Sequence, residues 1–260
     1  MFSGDSPGLS READFVRAVC HTSGRLTVDA RRMEQDPKAL AAERWYGYGR
    51  WDASYWFVGK EPGGTDEPEQ YASWLRLGGG EFIDCRAHDA DCATATTPMM
   101  WHGEGGRLQP TWRPLIALLL AYRGAPEYDK DAIWRYQDED WGSATGETAL
   151  IELSAVAAPN TSVTEALRLT HLPERIATIQ ARVAVHRPKI VLFYGAGRDP
   201  IFGKPYIGRW SEIAGVPLEQ NVIVRRDGTA YVATPHPTAH GLTNAFWTDL
   251  GRRLADDAHL

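Results

Sequence analysis

Apolar positions along the chain fall into two patterns: short unbroken runs and longer stretches of helical spacing. The runs YWFVG at 55–59, TALIEL at 148–153 and KIVLFYG at 189–195 have strand length and no polar alternation. Such runs predict strands covered on both faces. The segment NVIVRRDGTAYVATPHP predicts two further strands about Asp227-Gly228, a dipeptide suited to the positive φ angles of a tight hairpin. Polar sequence with helical spacing fills roughly 10–45, and residues 68–77 also suit a helix. A helix is predicted over 111–122, where Pro114 is tolerated in the first turn. Another is predicted over 172–186, with Ile176, Ile179 and Val183 on one side. A last one, over 242–257, carries Leu242, Phe246, Leu250 and Leu254 as a stripe of four-residue period. Residues 78–110 are rich in Gly, Asp and Thr and predict a long loop excursion, a kind of segment that often carries function.

Strands alternating with helices predict a three-layer α/β/α sandwich with a mainly parallel central sheet. The expected organisation is one domain over 1–260, with an N-terminal helical extension over about 1–50 and the loop excursion over about 78–110. Ligands of such sheets sit beyond the carboxyl ends of the strands. Glu61, the residues after Leu153, and His236 all fall just after predicted strands.

Composition narrows the classes. With 43% apolar and 24% charged residues the chain suits a folded globular protein. A net charge of −6 argues against a protein that grips duplex DNA mainly through its phosphates, and leaves a local basic patch as the route to nucleic acid. Three cysteines make no disulfide framework. The opening MFSGDSPGLS lacks the basic and apolar regions of a secretory leader, and the run LIALLLAY at 115–122 is too short to span a bilayer. The expected compartment is the cytoplasm, with no membrane association. Ten Trp and ten Tyr suit core filling first and base stacking second.

Two motifs carry candidate chemistry. In Gly59-Lys60-Glu61-Pro62-Gly63-Gly64 a carboxylate stands at a strand end beside a turn whose glycines admit a close substrate. In ATPHPTAHG, 233–241, His236 lies between Pro235 and Pro237, which stiffen the loop that presents the imidazole. Each alone is also an ordinary turn with a solvated side chain.

Together and in this order, GKEPG at 59–63 and HPT at 236–238 resemble the uracil-DNA glycosylase superfamily. KIVLFYGAGRDP resembles that family's third strand and the turn after it. The resemblance spans about 55–254. It implies hydrolysis of the N-glycosidic bond of a damaged or deaminated base, as in base excision repair, with DNA or a nucleotide-like molecule as partner and no cofactor. Glu61 takes the position of the water-activating residue, and His236 that of the donor to the departing base. Gly59, Lys60, Pro62, Gly63 and Gly64 frame the substrate. Thr238 stands where a serine commonly touches phosphate, and Leu242 or His240 where a wedge enters the duplex. The family's uracil-reading Asn has no counterpart before Asn160. Glu152 and Ser154 lie near its position, and Tyr71, Trp74 and Phe82 are the candidates for the stacking ring. The alternative is a module of the same fold that binds nucleic acid or a nucleotide-like ligand without turnover.

Three other features have plainer readings. Cys85, His88 and Cys92 have spacing that could hold zinc, with Cys20, His21 or His102 to complete it. With three cysteines in the chain, unligated thiols are the simpler expectation, and no metal is expected. Gly195-Ala196-Gly197-Arg198-Asp199-Pro200 matches a dinucleotide fingerprint only in part and predicts a strand-end turn, with Arg198 a candidate phosphate contact. RWYGYGRW, 44–51, predicts an aromatic packing segment, and VRRDG, 224–228, a charged hairpin tip.

Overall fold

A seven-stranded mixed sheet organises the protein, in the order β3-β1-β4-β2-β5-β7-β6. The computed structural model describes residues 36–63, 67–78, 80–94, 98–157, 165–197 and 206–256. The strands are β1 (Gly47–Tyr48), β2 (Tyr55–Gly59), β3 (Phe82–Ile83), β4 (Thr148–Glu152), β5 (Ile190–Tyr194), β6 (Ile223–Arg226) and β7 (Thr229–Thr234). Pairing is parallel for β4 with β2, β2 with β5, β5 with β7 and β1 with β3. It is antiparallel for β1 with β4 and β6 with β7.

Every residue of β2, β4, β5 and β7 is buried, which explains their unbroken apolar runs. The side-chain alternation of strands divides them between two cores. Trp56, Val58, Ile151 and Phe193 face one core, with Ile176, Ile179 and Val183 of helix α6 (Glu165–His186) and Trp210 and Ile213 of α7 (Ile207–Ala214). Phe57, Leu150, Leu192 and Val232 face the other. There they meet α4 (Trp112–Tyr122), α5 (Lys130–Glu139) and α8 (Asn244–Asp256). Helices therefore cover both faces. A third cluster joins α1 (Pro37–Arg44) to α2 (Pro68–Gly78) and the sheet edge through Trp45, stacked on Trp74 at 3.8 Å.

The hairpin forms where the sequence placed it: Asp227 and Gly228 have φ of 51° and 84°, between β6 and β7. Residues 78–110 are not all loop. They hold β3 and helix α3 (Cys85–Cys92), whose cap is Asp84 accepting from the Ala87 N–H at 2.9 Å. The predicted helix at 172–186 begins earlier, at Glu165, and runs through Pro173. Residues 36–260 form one compact unit, and the expected N-terminal extension before residue 36 lies outside the described residues. Trp45, Tyr46 and Trp51 are buried, so the segment 44–51 packs rather than presents its rings. Among the described residues no helix is long and apolar enough to cross a membrane.

Candidate active site

Parallel register brings four strand ends together. Gly59 pairs with Glu152, Val58 with Phe193, and Tyr194 with Thr234. The segments that follow these ends, starting at Lys60, Leu153, Gly195 and Pro235, therefore leave the sheet on one side. β2 lies between β4 and β5 there, so the chain's path diverges at β2, the place where open α/β sheets form a crevice.

A cavity of about 590 Å³ opens at this edge. Glu61, Pro62, Gly63 and His236 line it, together with Glu152 and Tyr194 from the strand ends. Glu61 and His236 come from loops about 175 residues apart in sequence, yet they share one cavity. The other predicted site residues lie elsewhere. Gly59 is within β2, and Lys60 stretches over the Tyr206 ring, its Nζ 4.5 Å from the centroid. Ser154 is buried, its Oγ accepting from the Val156 N–H at 3.1 Å. Leu242 is partly buried and packs against the core that α8 shares. Gly64, Asn160 and Arg198 lie outside the described residues. Of the stacking candidates, Tyr71 and Trp74 are core residues, and Phe82 packs edge-on against Trp51 at 4.8 Å.

Thr238 serves the histidine. Its hydroxyl lies 2.8 Å from His236 Nδ1 and its backbone N–H donates to the same atom at 3.3 Å. An Nδ1 that accepts leaves the ring proton on Nε2. Partial desolvation by the cavity wall, and then the charge of Lys60, lower the His236 pKa, so the ring is neutral near pH 7. Tyr194 meets it edge-on, with ring centroids 5.8 Å apart.

Glu61 is ion-paired with Arg168 of α6. Seven residues on, two turns along the same helix face, stands Arg175. Arg175 is 2% exposed, and its guanidinium donates to four backbone carbonyls: Leu153 at 2.7 Å, Ala42 at 3.1 Å, Trp45 at 3.0 Å and Glu152 at 2.8 Å. The carbonyls of Ala42 and Trp45 end α1, where the helix dipole favours a cation.

Glu152, which the sequence named only beside Ser154 as lying near the missing Asn, stands out at the end of β4. It is 8% exposed, at the last position of β4. Tyr194 donates to its Oε1 at 3.4 Å, and its Oε2 has no hydrogen-bond partner. Burial, reinforced by the nearby Glu61 charge, pushes the Glu152 carboxyl up to about 8. Gly59 across the ladder makes room for it. A Cβ there would stand 2.3 Å from the Tyr194 hydroxyl and 2.6 Å from Glu152 Oε2.

A raised carboxyl has a stability signature. Below about pH 4.5 both folded and unfolded chains hold this proton. Between there and about pH 8 only the folded chain keeps it, so stability falls as pH rises, by up to a few kcal/mol in total. Glu152→Gln removes this titration. The variant is expected to melt higher than the native protein near pH 8, with the gap closing towards pH 5, in thermal unfolding followed by circular dichroism.

The segment over the cavity is fixed by buried side chains in place of a backbone ladder. Asp89 of α3 accepts from the Met100 and Trp101 N–H groups, at 3.1 and 2.8 Å, and meets His102 Nδ1 at 3.0 Å. Gln137 of α5 donates to the Trp101 and Arg107 carbonyls and accepts from the Gln109 N–H. In the same wall, His88 joins Tyr48, 2.9 Å from its Nδ1, to Cys92, 3.5 Å from its Nε2. Burial raises the pKa of Cys85 and Cys92 and lowers that of His88. No group of three or more His, Cys, Asp or Glu among the described residues is arranged to hold a metal ion, and Cys20 and His21 lie outside them.

The cavity thus gathers an anion held by Arg168, a neutral imidazole with Nε2 as donor, and a neutral carboxylic acid. That set suits stabilisation of a developing cation with hydrogen bonding to a leaving group. Neither a protein-family model nor a curated protein matches the chain.

Proposed function

We propose that the protein is a uracil-DNA glycosylase-like hydrolase that releases a damaged or deaminated base from DNA by cleaving its N-glycosidic bond. The observation that carries this reading is the meeting of Glu61 and His236 in one cavity. The four parallel strands β4-β2-β5-β7, sandwiched between helices, are in keeping with it. A nucleotide extruded from its stack, at a cost of a few kcal/mol, would place its base in the cavity. As the bond lengthens, the sugar becomes cationic and the base anionic. Glu61 stabilises the cation or orients the attacking water. His236 Nε2–H steadies the departing base.

The test is base release from oligonucleotides carrying uracil, a thymine mismatch, hypoxanthine or xanthine. The native protein is expected to release at least one. Intact oligonucleotides in all four would end the reading for those bases.

A second reading is favoured by one feature. The Glu61 carboxylate is already engaged by Arg168, and an engaged carboxylate is a weaker base. On this reading the cavity binds nucleic acid or a nucleotide-like ligand without turnover, in keeping with the net charge of −6. Ligand affinity that survives both Glu61→Gln and His236→Ala, with no product from the native chain, would favour it.

A further inference from the structure

The segment that leads into α4 commits buried polar groups to holding two side chains in the cavity wall. Trp101 is fixed at both of its backbone groups. Its N–H donates to Asp89 at 2.8 Å, and its carbonyl accepts from Gln137 at 2.7 Å. Gln109 is tied three times. Its backbone N–H donates to Gln137 Oε1 at 3.0 Å, and its own Oε1 accepts from the Thr111 and Trp112 N–H groups at 2.5 and 2.7 Å. Asp89 and Gln137 are themselves buried. A loop supported in this way presents side chains as well as connecting elements. We infer that this wall is a second subsite of the cavity: the base next to the reacting nucleotide stacks on Trp101 and accepts from the Gln109 amide, and the DNA bound is a single strand.

The inference rests on the reading of the strand ends as the place of the reacting base, and three observations carry it. A volume of about 590 Å³ lies in the range that encloses a whole drug-sized ligand, more than one planar base fills. Trp101 and Trp112 line it half-buried, with centroids 6.4 Å apart and planes at 62°, and so give it aromatic surface of the kind on which bases stack. The third observation is the orientation of the Gln109 amide. With Oε1 turned to two N–H donors the amide cannot be reversed, because its NH₂ would then face them. Nε2 is thereby committed as a donor. No described residue accepts from it, and Gln109 lines the cavity half-buried. Bases carry ring nitrogens and carbonyl oxygens at their edges, so a fixed donor beside a stacking surface suits a base.

The strand state follows from cost and charge. In a duplex the neighbouring base is paired as well as stacked, and freeing it adds to the cost of extruding the reacting base. In a single strand it is free to move. A net charge of −6 gives no general grip on duplex phosphates, whereas stacking on aromatic rings needs none.

The experiment measures the binding of DNA pentamers whose central residue is 2′-fluoro-2′-deoxyuridine or its hypoxanthine counterpart. The fluorine disfavours a cationic sugar, so the glycosidic bond stays intact during the titration. Each pentamer is made with both neighbouring bases, and with the 5′ or the 3′ neighbour replaced by a tetrahydrofuran residue that has no base. Affinity is read by calorimetry. For the native protein, loss of one of the two neighbours is expected to weaken binding about tenfold. In Trp101→Ala the same loss is expected to cost less than about twofold, since the ring it stacked on is gone. Gln109→Glu keeps an oxygen for the Thr111 and Trp112 N–H groups and removes only the donor, and it is expected to reduce the neighbour's contribution as well. Comparing pentamers within one variant cancels any general effect of the substitution on charge or folding. A longer oligonucleotide with the same central residues is expected to bind the native protein about tenfold or more tightly as a single strand than annealed to its complement. Native affinity indifferent to both neighbours, an undiminished neighbour effect in either variant, equal affinity for the duplex, or no binding by the native protein overturns the inference.

Base release separates it from the hydrolase reading. Release that is indifferent to both neighbouring bases and to Trp101→Ala overturns the subsite and leaves the hydrolase standing. Neighbour-dependent binding through Trp101, with no release from any oligonucleotide, does the reverse.

Discussion

Arg175→Met is expected to remove most of the protein's folding free energy, shifting its urea midpoint far below that of the native chain. Four carbonyls from two separate segments depend on this one guanidinium: those of Glu152 and Leu153 at the end of β4, and those of Ala42 and Trp45 at the end of α1. Methionine fills a similar volume but donates nothing. A buried acceptor left without a partner costs about 1–3 kcal/mol, and these acceptors lose their charged donor together. Even with partial relaxation the sum reaches several kcal/mol, against a typical total of 5–15 kcal/mol for a domain. The guanidinium also stacks on Tyr46, whose ring centroid is 4.1 Å from its central carbon.

The same side chain must be cationic to do this, and it is. Burial lowers its pKa to about 10, which still leaves it charged at neutral pH. Arg175→Lys keeps the charge but offers a single nitrogen where the native residue uses three, and is expected to fall between the native protein and Arg175→Met. A midpoint for Arg175→Met within about 1 kcal/mol of native would show that the carbonyls find other donors, and would contradict this account.

What the sequence disclosed divides along a physical line. β2, β4 and β5 were legible because strands buried on both faces are written as unbroken apolar runs, and the hairpin because Asp227-Gly228 meets a demand few dipeptides can. Strands β1 and β3 are two residues each, too short to show any period. Helix α3 buries only Cys85 and Asp89 and so carries no apolar stripe. Helix α5 was not legible: five of its ten residues, Lys130, Asp131, Arg135, Asp138 and Glu139, are charged and dilute the buried stripe of Ile133, Tyr136 and Gln137. At the site, Glu61 and His236 could be found because strand ends followed by Pro and Gly are visible in one dimension. Glu152 could be named only as one of two residues near the missing Asn; its buried environment was not legible, since it is made by Gly59 across the ladder and Tyr194 two strands away. Asp89, Gln137 and Arg175 resemble the solvated faces of helices, and only their burial identifies them as supports.

Glu61→Gln and His236→Ala are each expected to cut base release by about two orders of magnitude or more. For His236 the loss is that of a preorganised donor, about 10²–10³ in rate, because Thr238 holds Nδ1 and so commits Nε2–H to the cavity. For Glu61 the loss is that of a carboxylate positioned for a cationic sugar or its water, about 10²–10⁴. The two differ in their effect on folding. His236 is exposed at the cavity mouth, and its truncation leaves stability near native. Glu61→Gln strips the counter-charge from Arg168, whose side chain is 6% exposed, and destabilises the fold. The double variant Glu61→Gln, Arg168→Met removes both charges and is expected to recover stability without recovering turnover. That pattern would assign the lost rate to the missing carboxylate and exclude a collapsed site. Single-turnover rates within threefold of native for both single variants would remove Glu61 and His236 from the chemistry, however closely the cavity brings them together.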